Sequence, residues 1–401
     1  MNVISRKEYA ERIDAWLGKE QIIVLVGQRR VGKSYVMKDF IARHRDEPDA
    51  NIIYIDKEKH SFNFIKNHEE LNAYIDQHFN AGLHNYILID EVQDIEGWEH
   101  SVRSYRTEED TDVIITGSNS KMLSGELSTL LGGRYEEIHI QGLGYREFLE
   151  FHSLADSDDA LWQYLNYGGL PGLRNIGLEN EGMVNEYLSG VFNTIMLKDV
   201  IERHTIRNIP FLNNLIAFMA DTVGKLNSAS SIARYMKSQG LDVSTNAVLT
   251  YMSYFAETFL TYAVGRYDLH GKKLLESNDK CYFGDVGLRN FIAGGERTND
   301  IEKVMENAVY LHLLRLGYEV KVGQLRAGEI DFVCTKAGKK AYVQVAYLIA
   351  NEDTRSREFG NLRLIPDDYP KYVISASPLL KRSDDEGLTH LHIREFLKNG
   401  L

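Results

Sequence analysis

Apolar residues in the first third of the chain come in short unbroken runs divided by stretches of helical spacing. Ile22-Ile23-Val24-Leu25-Val26 is five apolar residues in a row, shorter apolar runs recur at 86–89 and 113–116, and further strand-like segments lie at 51–56 and 137–141. Such runs, bounded by polar residues, read as strands buried on both faces, the habit of parallel sheets. Between the first two, Val36, Met37, Phe40 and Ile41 recur at helical spacing until Pro48, and a weaker helical pattern spans 71–79. Tyr9, Ile13, Ala15 and Trp16 predict a short helix over 6–19 leading into the first strand. Strands alternating with helices predict a parallel sheet with helices on both faces.

The pattern then changes. From 144 to 221 it is helical, with Tyr145, Phe148, Leu149 and Phe151, then Leu161, Tyr164 and Leu165, then Val191, Ile195, Met196 and Val200, and predicts a helical lid. Two helices over 228–239 and 244–258 each start at a serine suited to cap them, Ser228 and Ser244. Strand-like segments 259–267 and 273–283 frame His270-Gly271, which completes a winged-helix outline. The last segment has Glu306 in a helical run, then Glu329-Ile330-Asp331-Phe332-Val333 and Val343-Gln344-Val345-Ala346. The expected organisation is an α/β core over 1–143, a helical lid over 144–222, a winged-helix region over 223–296 and a small α/β domain over 297–401, since 401 residues exceed one ordinary core.

Composition narrows the class. Apolar content of 43% with 26% charged residues describes a globular protein, and the net charge of −12 argues against wholesale polyanion binding. Cys281 and Cys334 are each alone in their segments and imply neither a disulfide framework nor a zinc site. No apolar run approaches a membrane span and the N-terminus lacks a signal-peptide core, so the expected location is cytoplasmic, away from membranes.

The chemistry concentrates after the first strand. Gly27 to Ser34, GQRRVGKS, has the spacing of a phosphate-binding loop opening a helix. Its glycines let the backbone wrap closely, so N–H groups along Gly27, Gln28, Arg29, Arg30, Val31, Gly32, Lys33, Ser34 and Tyr35 form the expected phosphate cradle, reinforced by the helix N-terminus. Lys33 would reach the outer phosphates and Ser34 would ligate Mg²⁺. Tyr86 to Ile89 ends in Asp90-Glu91 and resembles a Walker B strand. Asp90 would share Mg²⁺ with Ser34, while alternation along the strand would turn Glu91 the other way, to orient or deprotonate the attacking water. The turn after the fourth apolar run offers Asn119 or Ser118 as a sensor of the outermost phosphate, and Arg134, ahead of the fifth strand, could meet developing phosphate charge in its own or a neighbouring subunit. The second arrangement would make the chain a homo-oligomer.

GQRRVGKS, ILIDEVQ, ITGSNS, GGRY and EEIHIQGLGYREFLEF, in that order, resemble the AAA-type ATPases of bacteria and archaea that carry a C-terminal domain of unknown function. The resemblance implies an AAA+ strand order and ATP as the ligand. Gly169-Leu170-Pro171 is similar to a signature with which related signalling ATPases place a proline near adenine, which implies a nucleotide contact for Pro171. The winged-helix outline raises DNA as a partner, yet 244–258 carries no Lys or Arg, and 225–280 holds seven basic against five acidic residues. Phosphate neutralisation dominates DNA affinity, so a protein-docking or nucleotide-sensing role fits better. The order Glu306, Asp331, later strand is similar to a restriction-endonuclease-like core in which Glu-X-Lys follows the Asp. Gln344 and Ala346 stand at those two positions, so the fold is expected without the cleavage chemistry.

Overall fold

Strand β1 (Ile22–Val26) is buried along its whole length, as a strand must be when both faces are covered. The structure, a computed structural model, describes residues 4–117, 129–294, 300–326, 328–349, 352–377, 384–385 and 387–401. Beside β1 run β2 (Ala50–Asp56), β3 (His84–Asp90), β4 (Thr111–Gly117) and β5 (Tyr135–His139), all parallel, in the order β2-β3-β4-β1-β5. Helices α1 (Lys7–Asp14), α2 (Lys33–His44), α3 (His68–His78) and α4 (Trp98–Tyr105) flank them. Burial of Val36, Met37 and Phe40 on α2 and of Leu71 and Ile75 on α3 contributes ~1.5–3 kcal/mol per side chain. Strand β4 lies between β1 and β3, so the end of β4 stands between the phosphate-loop strand and Asp90.

The described residues form two compact units, Met1–Gln141 with Glu257–Phe259, and Gly142–Ala256 with Leu260–Leu401. The second is built on a mixed sheet of nine strands among the described residues. These are β6 (Leu226–Asn227), β7 (Thr261–Asp268), β8 (Lys273–Phe283), β9 (Glu319–Leu325), β10 (Gly328–Lys336), β11 (Lys339–Ala346), β12 (Lys371–Ser375), β13 (Asp384–Asp385) and β14 (Leu388–His392). Their order is β13-β14-β12-β11-β10-β9-β7-β8-β6. The hairpin read as a wing is therefore continuous with the last segment: Arg266 of β7 registers with Val322 of β9 in parallel. Hydrogen bonds also span the expected borders at 222 and 296. Arg289 donates to the Ala220 carbonyl at 2.8 Å, Asn290 to that of Leu165 at 2.9 Å and Arg315 to Glu147 at 2.8 Å.

Local rules hold within this unit. Ser228 Oγ accepts from Ser231 N at 3.0 Å and Ser244 Oγ from Ala247 N at 3.1 Å, capping helices Ala229–Ser238 and Thr245–Glu257. The glycines of Tyr167-Gly168-Gly169-Leu170-Pro171-Gly172 are required by packing. A Cβ on Gly168 would lie 2.3 Å from Asp285 Oδ1, one on Gly169 2.3 Å from the Leu143 carbonyl oxygen, and one on Gly172 2.1 Å from the Tyr187 hydroxyl. Asp285 caps helix Val286–Ala293 and accepts from Gly169 N at 2.7 Å; burial pushes its carboxyl up to about 6 against the pull of these N–H groups.

Candidate nucleotide-binding site

The loop after β1 has no room for a side chain at its first residue. Gly27 has φ +151, and a Cβ there would sit 2.1 Å from the Ile140 carbonyl oxygen. Gly32, with φ +100, caps α2 in a left-handed conformation, and Arg30 is also left-handed at φ 71. The loop is thus folded onto the start of α2, whose first N–H groups and dipole favour an anion. Lys33 is 5% exposed, and its ammonium donates to the carbonyls of Gly27 at 3.0 Å and Gln28 at 3.2 Å, which draws it over the loop. Arg6 braces the loop from outside, donating to the Val31 carbonyl at 3.2 Å and the Gln141 carbonyl at 2.8 Å.

Asp90 ends β3, buried to 1% exposure. Thr116 Oγ1, at the end of β4, donates to Asp90 Oδ1 at 2.6 Å and accepts from Glu91 N at 2.8 Å, and Tyr54 OH on β2 donates to Asp90 Oδ2 at 3.3 Å. Burial raises the Asp90 pKa, against the pull of hydrogen bonds from Thr116 and Ser34. Strand alternation does not orient Glu91. The strand stops at Asp90, and Glu91 takes a left-handed conformation, φ 56 and ψ 55, with its side chain held by Gln93. Asp56, paired in register with Asp90, adds a third carboxylate at the same sheet end.

These groups suit a magnesium nucleoside triphosphate. The loop is a glycine-framed cradle, and the Gln28 side-chain amide is buried with neither polar atom hydrogen-bonded, a loss of ~1–3 kcal/mol that a ligand would relieve. Ser34 and Asp90 supply the hard oxygen donors that Mg²⁺ prefers, and a cation would offset the desolvation that Asp90 suffers.

The other expected residues are placed unevenly. Ser118 and Asn119 lie outside the described residues. Arg134 is exposed, and its carbonyl accepts from Ile22 N at 3.1 Å, at the N-terminal end of β1. The loop follows the other end, roughly 15 Å along the strand. Pro171 lies in the second unit, in the turn whose glycines pack as described. Glu306, Glu329 and Asp331 do come together, but around Lys280, and Gln344 Oε1 accepts from Asp331 N at 3.3 Å. Sequence reasoning missed Thr116 and Tyr54, whose roles depend on which strands are neighbours; the one sequence signal is that Thr116 closes an apolar run.

The fold and loop define a P-loop nucleotide-binding protein. Residues 19–149 match the family model described as AAA domain, and residues 158–299 match a domain of unknown function (DUF8612). An uncharacterized protein of Haemophilus influenzae is 33% identical over 403 residues, covering 98% of each chain. One from Methanocaldococcus jannaschii is 28% identical over 363 residues, covering 86% of this chain and 79% of its own. Among solved structures, a Walker-type ATPase of Pyrococcus abyssi is similar with a TM-score of 0.49 and 14% identity, covering 72% of this chain and 95% of that one. The chain belongs to the family of AAA-type P-loop ATPases that carry a C-terminal domain of unknown function. Among the described residues, no helix is long and apolar enough to cross a membrane.

Proposed function

We propose that the protein binds ATP with Mg²⁺ at the loop and hydrolyses it, using the cycle to drive or gate a change in its C-terminal half. The observation that carries this reading is the meeting of Asp90, Glu91 and Thr116 at the sheet end from which the glycine loop opens. Loop N–H groups and Lys33 hold the phosphates, and Ser34 and Asp90 hold the metal ion, which when bound neutralises charge on the transferred phosphoryl group. Glu91, kept at hydrogen-bonding distance from Thr116 through its backbone, orients a water and takes its proton. Asn119 takes the sensor position. Pro171 is a nucleotide contact on the family resemblance.

Arg134 acts on the site of a neighbouring copy, which its exposure and its distance from its own loop support. Arg134→Ala should then abolish turnover while sparing ATP affinity, and wild-type turnover per subunit should rise with protein concentration; a concentration-independent rate removes this role. The partner surface is the 209–283 region, whose order is helix, short strand, two helices and hairpin, with β6 pairing back to β8. Helix Thr245–Glu257 exposes Thr245, Asn246, Leu249, Thr250 and Ser253, an uncharged face suited to protein rather than to DNA. Lys280, counted in sequence among the seven basic residues of 225–280, is 3% exposed, which leaves six basic against five acidic side chains in that stretch.

The deciding experiment is the steady-state ATPase rate with Mg²⁺, with and without double-stranded DNA. Glu91→Gln should bind ATP and lose ~10²–10⁴-fold in rate, and Lys33→Ala should weaken ATP binding. Unchanged affinity in Lys33→Ala would show the loop assignment to be wrong.

A further inference from the structure

Three carboxylates from two elements of the second unit point at one spot. Glu306 comes from helix Ile301–Arg315, and Glu329 and Asp331 from β10. Like charges so close, and shielded from water, repel strongly unless something positive stands among them. What stands there is the side chain of Lys280 on β8. Its ammonium lies 2.6 Å from Glu329 Oε1, 2.9 Å from Glu306 Oε1 and 3.1 Å from Asp331 Oδ1. One partner for each of its three protons satisfies the group completely.

The surroundings hold the carboxylates in place. Tyr282 OH donates to Glu306 Oε1 at 2.5 Å, and Val345 N donates to Asp331 Oδ2 at 2.9 Å. Gly224, at φ +74, comes so near that a Cβ would sit 2.8 Å from Glu306 Oε2. Burial alone would lower the Lys280 pKa, yet Asp331, Glu306 and Glu329 together raise it. Burial, with Asp331 added, pushes Glu306 up to about 7. The cluster therefore needs its cation to stay ionised.

We infer that Lys280 is a built-in cation: its ammonium occupies the seat that a divalent ion would take among Glu306, Glu329 and Asp331, and ties β8 to β10 and to helix Ile301–Arg315. The seat is formed of hard carboxylate oxygens, the donor set of Mg²⁺ or Mn²⁺, and is filled from within the chain. A lysine tether supplies the charge without a metal's open coordination positions, so no water or phosphate oxygen is activated there. This inference is independent of the nucleotide reading and goes beyond it.

The test is Mn²⁺ binding to the nucleotide-free full-length protein, followed by electron paramagnetic resonance, in wild type and Glu329→Gln. The two should titrate alike. A stoichiometric Mn²⁺ site in wild type that Glu329→Gln loses would overturn the inference. Lys280→Ala, which empties the seat, supplies a second readout. It should melt roughly 10 °C below wild type and regain most of that loss in millimolar Mn²⁺. A melting temperature equal to wild type, or a loss that Mn²⁺ leaves untouched, would overturn it as well; should Lys280→Ala not fold, the first comparison decides alone.

Discussion

The protein gathers carboxylates at two places and treats them oppositely. At the end of β3, Asp90 receives hydroxyls, from Thr116 at 2.6 Å and Tyr54 at 3.3 Å, while the nearby Lys33 is turned onto the loop carbonyls of Gly27 and Gln28. In the second unit, Glu306, Glu329 and Asp331 enclose the ammonium of Lys280 within 3.1 Å. Hydroxyls orient a carboxylate without neutralising it, so Asp90 keeps its capacity to hold a metal ion. An ammonium at the centre uses that capacity up. Residue types alone do not separate the two places, since Asp56, Asp90 and Glu91 also gather at the first; the position of one lysine separates them.

The same chemical change at each place should therefore have opposite consequences, and the largest effect lies in the first. Asp90→Asn should lower the Mg²⁺-dependent ATPase rate by ~10³-fold, about 4 kcal/mol of barrier, while shifting unfolding free energy by no more than about 1 kcal/mol, because it removes a buried charge that hydroxyls orient without neutralising. Asp331→Asn should leave ATP affinity unchanged and reduce unfolding free energy by about 3 kcal/mol, since it breaks a buried paired network. Equal loss of stability in both, by denaturant titration, would erase the contrast.

A smaller effect is expected at Thr116, whose hydroxyl serves both Asp90 and Glu91. Thr116→Val keeps the shape and removes one buried hydrogen bond from each of Asp90 and Glu91, a change of ~1–3 kcal/mol. Turnover should fall ~10–100-fold, the same energy read as rate, with ATP affinity within a few-fold of wild type. A larger loss of affinity than of rate would mean that Thr116 positions the ground state.

The smallest effect concerns acid sensitivity of the second unit. Burial pushes His312 down to about 3, with Arg315 adding to the shift, so the folded chain holds it neutral, whereas the unfolded chain protonates it near 6.5. Between those values the unfolded state binds more protons, so the contribution is whole above pH 6.5 and is lost as pH falls toward 3. His312→Leu should reduce the steepness of stability against pH between pH 6 and 4 by up to about 1.4 kcal/mol per unit. Equal slopes for the two proteins would show that His312 titrates normally when folded.

The sequence by itself determined the local features. Five adjacent apolar residues running into a glycine loop read as a doubly covered strand, GQRRVGKS closes onto a helix because its glycines and lysine are spaced for it, and Ser228 and Ser244 cap the helices they precede. Each depends on neighbours a few residues away, where period and turn chemistry suffice. The order of the parent strands is a long-range choice, and it decided the rest. Thr116 meets Asp90 because β4 enters beside β3, and Arg134 is carried away from the loop because β5 runs parallel to β1. Glu91 leaves the alternation of its strand through a left-handed turn that no period announces. Lys280 is 26 residues from Glu306 and 51 from Asp331 in the chain, and read in sequence it is one more surface charge. Only the sheet that sets β8, β7, β9 and β10 side by side buries it among three carboxylates, because charges far apart in sequence select one another only after the strands between them have paired.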